Sequence, residues 1–201
     1  AHEGANQLLY GEGHPLSAVL TPEVIRSVSR DEVAQFHSRA LAASGTHLYL
    51  GGRITDSILE SVTSAFGTLR LDGPGIEAVD VKPRPASAGT VRHITMPQSK
   101  QSAITLTFPT IGRQDADYVM LRLVVTALGG YFGSRLNANI REEKGLTYGI
   151  TAALLGLRDT GSVEINCQTD PANVDRVIDE VRAEMLHMST GRFTHEELER
   201  L

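Results

Sequence analysis

The side chains able to carry chemistry in this 201-residue chain are seven histidines, one cysteine and the residues around a few glycine-rich turns. Metal-assisted amide hydrolysis needs two histidines one helical turn apart with a glutamate base beside them. His2, His14, His37, His47, His93, His187 and His195 include no pair separated by four residues. His2-Glu3 and His195-Glu196 each lack the second histidine, so neither H-E-x-x-H nor the inverted H-x-x-E-H motif is present. The histidines therefore read as surface or packing residues, and no metal ligand is assigned. Cys167, the single cysteine, falls on the apolar side of an alternating segment, where a thiol packs rather than attacks. No G-x-S-x-G nucleophile turn occurs, and the glycines at 129, 130 and 133 lack the Lys-Ser/Thr pair of a phosphate loop.

Composition narrows the partners. The chain is 41% hydrophobic and 21% charged, ordinary for a domain with a buried core, and its formal net charge is -5. With its basic residues scattered, it has no positive field to hold nucleic acid or an anionic membrane surface. No apolar run approaches the roughly 20 residues of a spanning helix.

The elements that must position any site follow from pattern. A short helix is expected near 5–10. Ser29 to Glu32 is a capping box opening a helix with Val33, Phe36, Ala40 and Leu41 on one face. A strand is expected at 46–50, then a helix capped by Thr55 or Asp56 and stopped by Gly67. Residues 71–89 hold Gly73, Pro74, Gly75, Pro83 and Pro85 and read as a linker. Strands are expected at 90–96, 102–108, 146–155 and 162–168. A helix over 115–128 ends at Gly129-Gly130, and a short one follows with Phe132, Leu136 and Ile140 spaced by four. Asp170-Pro171 starts a helix carrying Val174, Val177, Val181 and Met188, and Thr194 with Glu197 forms a second capping box. This order implies an α+β fold, a mixed, largely antiparallel sheet layered with helices.

One block is distinctive: Gly129-Gly130-Tyr131-Phe132-Gly133-Ser134-Arg135-Leu136, followed by Arg141-Glu142-Glu143-Lys144-Gly145-Leu146-Thr147-Tyr148. It resembles the second, non-catalytic lobe of the insulinase/pitrilysin family of zinc metallopeptidases, which includes mitochondrial processing peptidase. His14-Pro15-Leu16, the segment 29–52 and the segment 191–197 add to the likeness. The resemblance implies that Arg141 and Tyr148 bind substrate and stabilise the transition state. A guanidinium can donate paired hydrogen bonds to peptide carbonyls, and a phenol can donate to the oxygen that becomes anionic when water attacks an amide. It also implies that zinc belongs to a first lobe lying upstream of Ala1, so that this chain alone is inactive.

By the same resemblance, residues 1–70 correspond to the helix-strand-helix tail of the zinc lobe, 71–89 to the linker, and 90–201 to a truncated second lobe. The missing Met at residue 1 and the helix pattern still open at Leu201 suggest a chain cut from something longer. A tail without its body and a body without its tail could combine into one pseudo-lobe over 1–201, or exchange between copies in a homodimer. The expected partners are the zinc-bearing lobe, on the same or a separate chain, and an extended peptide substrate. The alternative is a non-enzymatic scaffold or partner subunit resembling the core subunits of the respiratory cytochrome complex. Bacterial periplasm and cytoplasm are both compatible with the sequence.

Overall fold

A computed structural model of the chain describes residues 1–42, 47–70, 73, 79–84 and 89–201. The chain divides into two compact units, one formed by Ala1–Ala18 with Val81–Leu201 and the other by Val19–Asp80. Residues 1–18 thus cluster with the later part of the chain.

In the larger unit, the described residues form one antiparallel sheet from β1 (Ser102–Thr110), β2 (Thr147–Gly156) and β3 (Gly161–Thr169), in the order β1-β3-β2. Period-two alternation sets its faces. Val163, Ile165 and Cys167 of β3 are buried on one side, with Ile104, Leu106 and Phe108 of β1 packed against the same cluster. That cluster is completed by helices. Helix α5 (Tyr118–Val125) contributes Val125, and α6 (Val174–Ser189) contributes Val177, Val181 and Met188. Helix α1 (His2–Tyr10) covers the opposite face, with Leu9 and Tyr10 buried. His2 pairs with Glu164 at 2.7 Å, and the Tyr10 hydroxyl lies 3.4 Å from that of Ser162. The result is a helix–sheet–helix layering, the expected α+β class. Burial pushes the Cys167 thiol above its ordinary range, in keeping with a packing role.

The smaller unit carries α2 (Pro22–Ser27), α3 (Arg30–Ala42) and α4 (Asp56–Phe66). The predicted capping box at α3 is present: Glu32 N–H donates to Ser29 Oγ at 3.2 Å, and Ser29 N–H donates to Glu32 Oε2 at 2.8 Å. The expected apolar face of α3 is bare, since Val33, Phe36 and Leu41 are all exposed.

Among the described residues, two expected strands do not form. Residues 47–50 and 90–96 carry no regular secondary structure and join no sheet, and Leu48, Leu50, Val91, Ile94 and Met96 are exposed. Residue 46 and most of the 71–89 linker lie outside the described residues. Alternation marks a segment able to be a strand; a ladder partner is needed to make it one.

Candidate functional site

The site is built where α5 turns back onto β2. Helix α5 widens into a π-helical turn, Thr126–Gly130, that presses on the strand. Gly129 is required there, because a Cβ at this position would lie 2.5 Å from Ala152 N and 2.7 Å from Ala152 Cβ. A turn over 131–134 reverses the chain, and a second π-helical segment, Asn137–Glu143, carries Arg141. Leu136 and Ile140 are fully buried beneath it, as their spacing predicts. Phe132 is not: it is 66% exposed, because the turn breaks the helical spacing that would have placed it beside them.

Phe132 instead lies under Arg141, whose guanidinium carbon sits 3.9 Å from the ring centroid. Such a stack restrains a flexible side chain while leaving its N–H groups to other partners. Arg141 Nη1 has no hydrogen-bond partner, and Glu142 Oε1 is 3.6 Å from it. The segment is tied to α6 by Asn139, which donates to Glu184 at 2.7 Å, and by the ion pair between Lys144 and Glu180. That pair and the amide of Asn139 hold the Glu180 carboxyl below its ordinary range, the Lys144 hydrogen bond being the larger cause.

Gly145, at φ +60, ends the segment in a left-handed conformation that favours glycine, and Leu146 N–H closes it on Ile140 O at 2.9 Å. Tyr148 comes next, at the start of β2. The register steps from Thr147 opposite Thr169 to Ile150 opposite Cys167, so Tyr148 and Gly149 together face Gln168 in a β-bulge. Strict alternation would place Tyr148 inward with Ile150 and Ala152, which are buried. The bulge turns it out, and it is 92% exposed. Thr147 fixes the distortion by donating to Gln168 O at 2.6 Å and accepting from Gly149 N–H at 3.2 Å.

The two residues singled out in the sequence thus sit on touching elements, Arg141 held against Phe132 and Tyr148 open to solvent. Sequence reasoning missed three residues that support them. Asn137 bonds both backbone groups of Ile150. Ser134 is buried beside it. Arg135 makes a forked pair with Glu197, Nε to Oε1 at 2.5 Å and Nη2 to Oε2 at 2.9 Å. The only local hint was the polar character of positions flanked by apolar anchors. Of the histidines, His14 is buried, stacked on Tyr10, and accepts from Leu16 N–H at 3.1 Å, a packing role. Among the described residues no group of three or more His, Cys, Asp or Glu side chains comes together to hold a metal ion, and no helix is long and apolar enough to cross a membrane.

A zinc protease of Mycobacterium leprae, named as uncharacterized, is 27% identical over 181 residues, covering 87% of this chain and 40% of that protein. The zinc protease YmxG of Bacillus subtilis, named likewise, is 23% identical over 203 residues, covering 98% and 47%. The chain therefore spans less than half the length of these relatives. A crystal structure of a peptidase M16 inactive domain from Pseudomonas fluorescens superposes with a TM-score of 0.86 at 26% identity, covering 99% of this chain and 48% of that one. A chain of complex III2 from Candida albicans shares the fold, with a TM-score of 0.56 at 12% identity over 84% of this chain and 42% of that one. The profile of the peptidase M16 inactive domain matches residues 27–201, and the chain belongs to that family.

Proposed function

We propose that this chain is the substrate-binding, non-catalytic part of a zinc-dependent metalloendopeptidase. In this reading it closes on an extended peptide and contributes Arg141 and Tyr148 to a site built with a separate zinc-bearing lobe, in the same polypeptide or another. The described residues bring no zinc donor set together; in this reading the metal and its ligands belong to the paired lobe. Arg141 donates to peptide carbonyls, and Tyr148 donates to the carbonyl oxygen as it acquires negative charge.

The observation that carries this reading is the bulge that exposes Tyr148, next to a segment whose Arg141 is held against the Phe132 ring. A tyrosine serving only the fold would sit inward with Ile150. The exposed apolar faces of α3 and α4, with Val33, Phe36, Ile58 and Leu59 among their residues, give the zinc-bearing lobe a surface to cover.

The alternative is a non-enzymatic scaffold, and it makes a different prediction. In the longer protein with its zinc lobe, Tyr148→Phe and Arg141→Ala should each lower kcat by about a hundredfold, with zinc content unchanged and KM rising less. Unchanged peptide cleavage in both variants returns the pair to a structural role and favours the scaffold.

A further inference from the structure

Asn137 is 6% exposed and sits at the head of the segment that carries Arg141. Its amide reaches across to β2: Nδ2 donates to Ile150 O at 2.8 Å, and Ile150 N–H donates to Oδ1 at 3.4 Å. One side chain thus satisfies both backbone groups of Ile150, as a neighbouring strand would. Ile150 is the first regularly paired residue after the bulge that turns Tyr148 outward. The remaining donor capacity of Nδ2 goes to Ser134 Oγ at 3.2 Å and Tyr131 O at 3.3 Å, inside the turn that presents Phe132.

Three features of the candidate site therefore meet at one amide: the turn bearing the ring under Arg141, the segment bearing Arg141, and the bulge exposing Tyr148. The polypeptide link between Arg141 and Tyr148 runs through Gly145, which offers little stiffness of its own. Asn137 supplies a second connection that bypasses it.

We propose that Asn137 is a positioning residue that locks the bulged start of β2 to the Arg141 segment, so that Tyr148 and Arg141 present themselves to the peptide as one unit. The proposal rests on the function proposed above for that pair. Asn137 itself touches no substrate. An amide is suited to the task because it offers a donor and an acceptor at the spacing of a peptide group. Ser and Ala cannot reach both backbone atoms.

Two measurements test it. In the 201-residue chain, amide exchange followed by NMR should show Ile150 N–H exchanging at least about tenfold faster in Asn137→Ala, while the β3 amides of Ile165 and Cys167 stay protected. Unchanged protection at Ile150 overturns the bracket. In the longer protein with its zinc lobe, Asn137→Ala should lower kcat by about tenfold or more while KM moves less. Added to Tyr148→Phe, it should cost far less than it does alone. Full additivity, or a loss matched by the α6 core variant Val181→Ala at equal thermal stability, assigns Asn137 to general stability and overturns the proposal. Asn137→Ser, which keeps a polar atom but loses the two-pronged reach, serves for the same measurements if Asn137→Ala does not fold. If Tyr148→Phe alone leaves kcat unchanged, the proposed function fails and the positioning role of Asn137 falls with it. The exchange experiment then still reports separately on the bracket.

Discussion

Glu197→Gln should destabilise the chain in a way that disappears with acid. Glu197 sits in the short helix His195–Glu199, labelled α7, and accepts two hydrogen bonds from Arg135 and one from Thr194 N–H at 2.7 Å. These hold its carboxyl down from 4.5 to about 2, the Arg135 hydrogen bond being the largest cause. One pKa unit is worth about 1.4 kcal/mol, so the depression amounts to about 3 kcal/mol; partial solvent contact at Glu197 trims this to roughly 2–3 kcal/mol.

Arg135 raises the stakes. It is 11% exposed, its Nη1 already lacks a partner, and its guanidinium lies 4.9 Å from the Phe193 ring. Arg135 also sits between Phe132 and Asn137, so the pair anchors the turn that shapes the candidate site. Because the folded chain holds Glu197 below its ordinary range, the unfolded chain takes up the proton first as pH falls. The contribution is complete above about pH 4.5 and is lost as pH drops towards about 2. Urea denaturation of the wild type and Glu197→Gln should show a gap of roughly 2–3 kcal/mol near pH 7, narrowing by about 1 kcal/mol by about pH 3.5. A gap below about 0.5 kcal/mol at neutral pH, or one that does not change with acid, would refute the reasoning.

Two further outcomes are expected. Gly129→Ala should cost about 1–3 kcal/mol or more, because its Cβ meets the Ala152 backbone, which cannot move aside as a flexible side chain could. Gly149→Ala has open space and no left-handed backbone, so its melting temperature should match the wild type; equal melting temperatures for both variants would contradict the packing described. The isolated chain should retain no stoichiometric zinc after dialysis and should not cleave a fluorogenic peptide. Chelator-sensitive cleavage by the chain alone would count against assigning the metal to a paired lobe.

Much of the fold could be read along the chain because it is specified by neighbours in sequence. The two capping boxes, Ser29 with Glu32 and Thr194 with Glu197, need only four residues each, and both occur. The alternation in 162–168 and the apolar stripe of α6 are likewise local, and burial follows them; in 102–108, Ile104, Leu106 and Phe108 pack against the same core but burial does not alternate. The segments at 47–50 and 90–96 show where this stops: each has a strand's composition, but a strand exists only with a partner.

The candidate site divides along the same line. Arg141 and Tyr148 were legible through a family resemblance carried by a contiguous motif, and Gly145 announced the break between them. That Tyr148 faces outward was not legible. Alternation alone puts it inward, and only the pairing of β2 with β3 creates the bulge that reverses it. Phe132 matched a helical spacing and yet lies under Arg141, because a turn intervenes. Asn137 and the Arg135–Glu197 pair depend on partners 13 and 62 residues away. Periodicity reports which face of an element is apolar; which buried amide meets which distant backbone is decided only when the elements pack, since hydrogen bonds depend on tenths of an ångström that no spacing rule encodes.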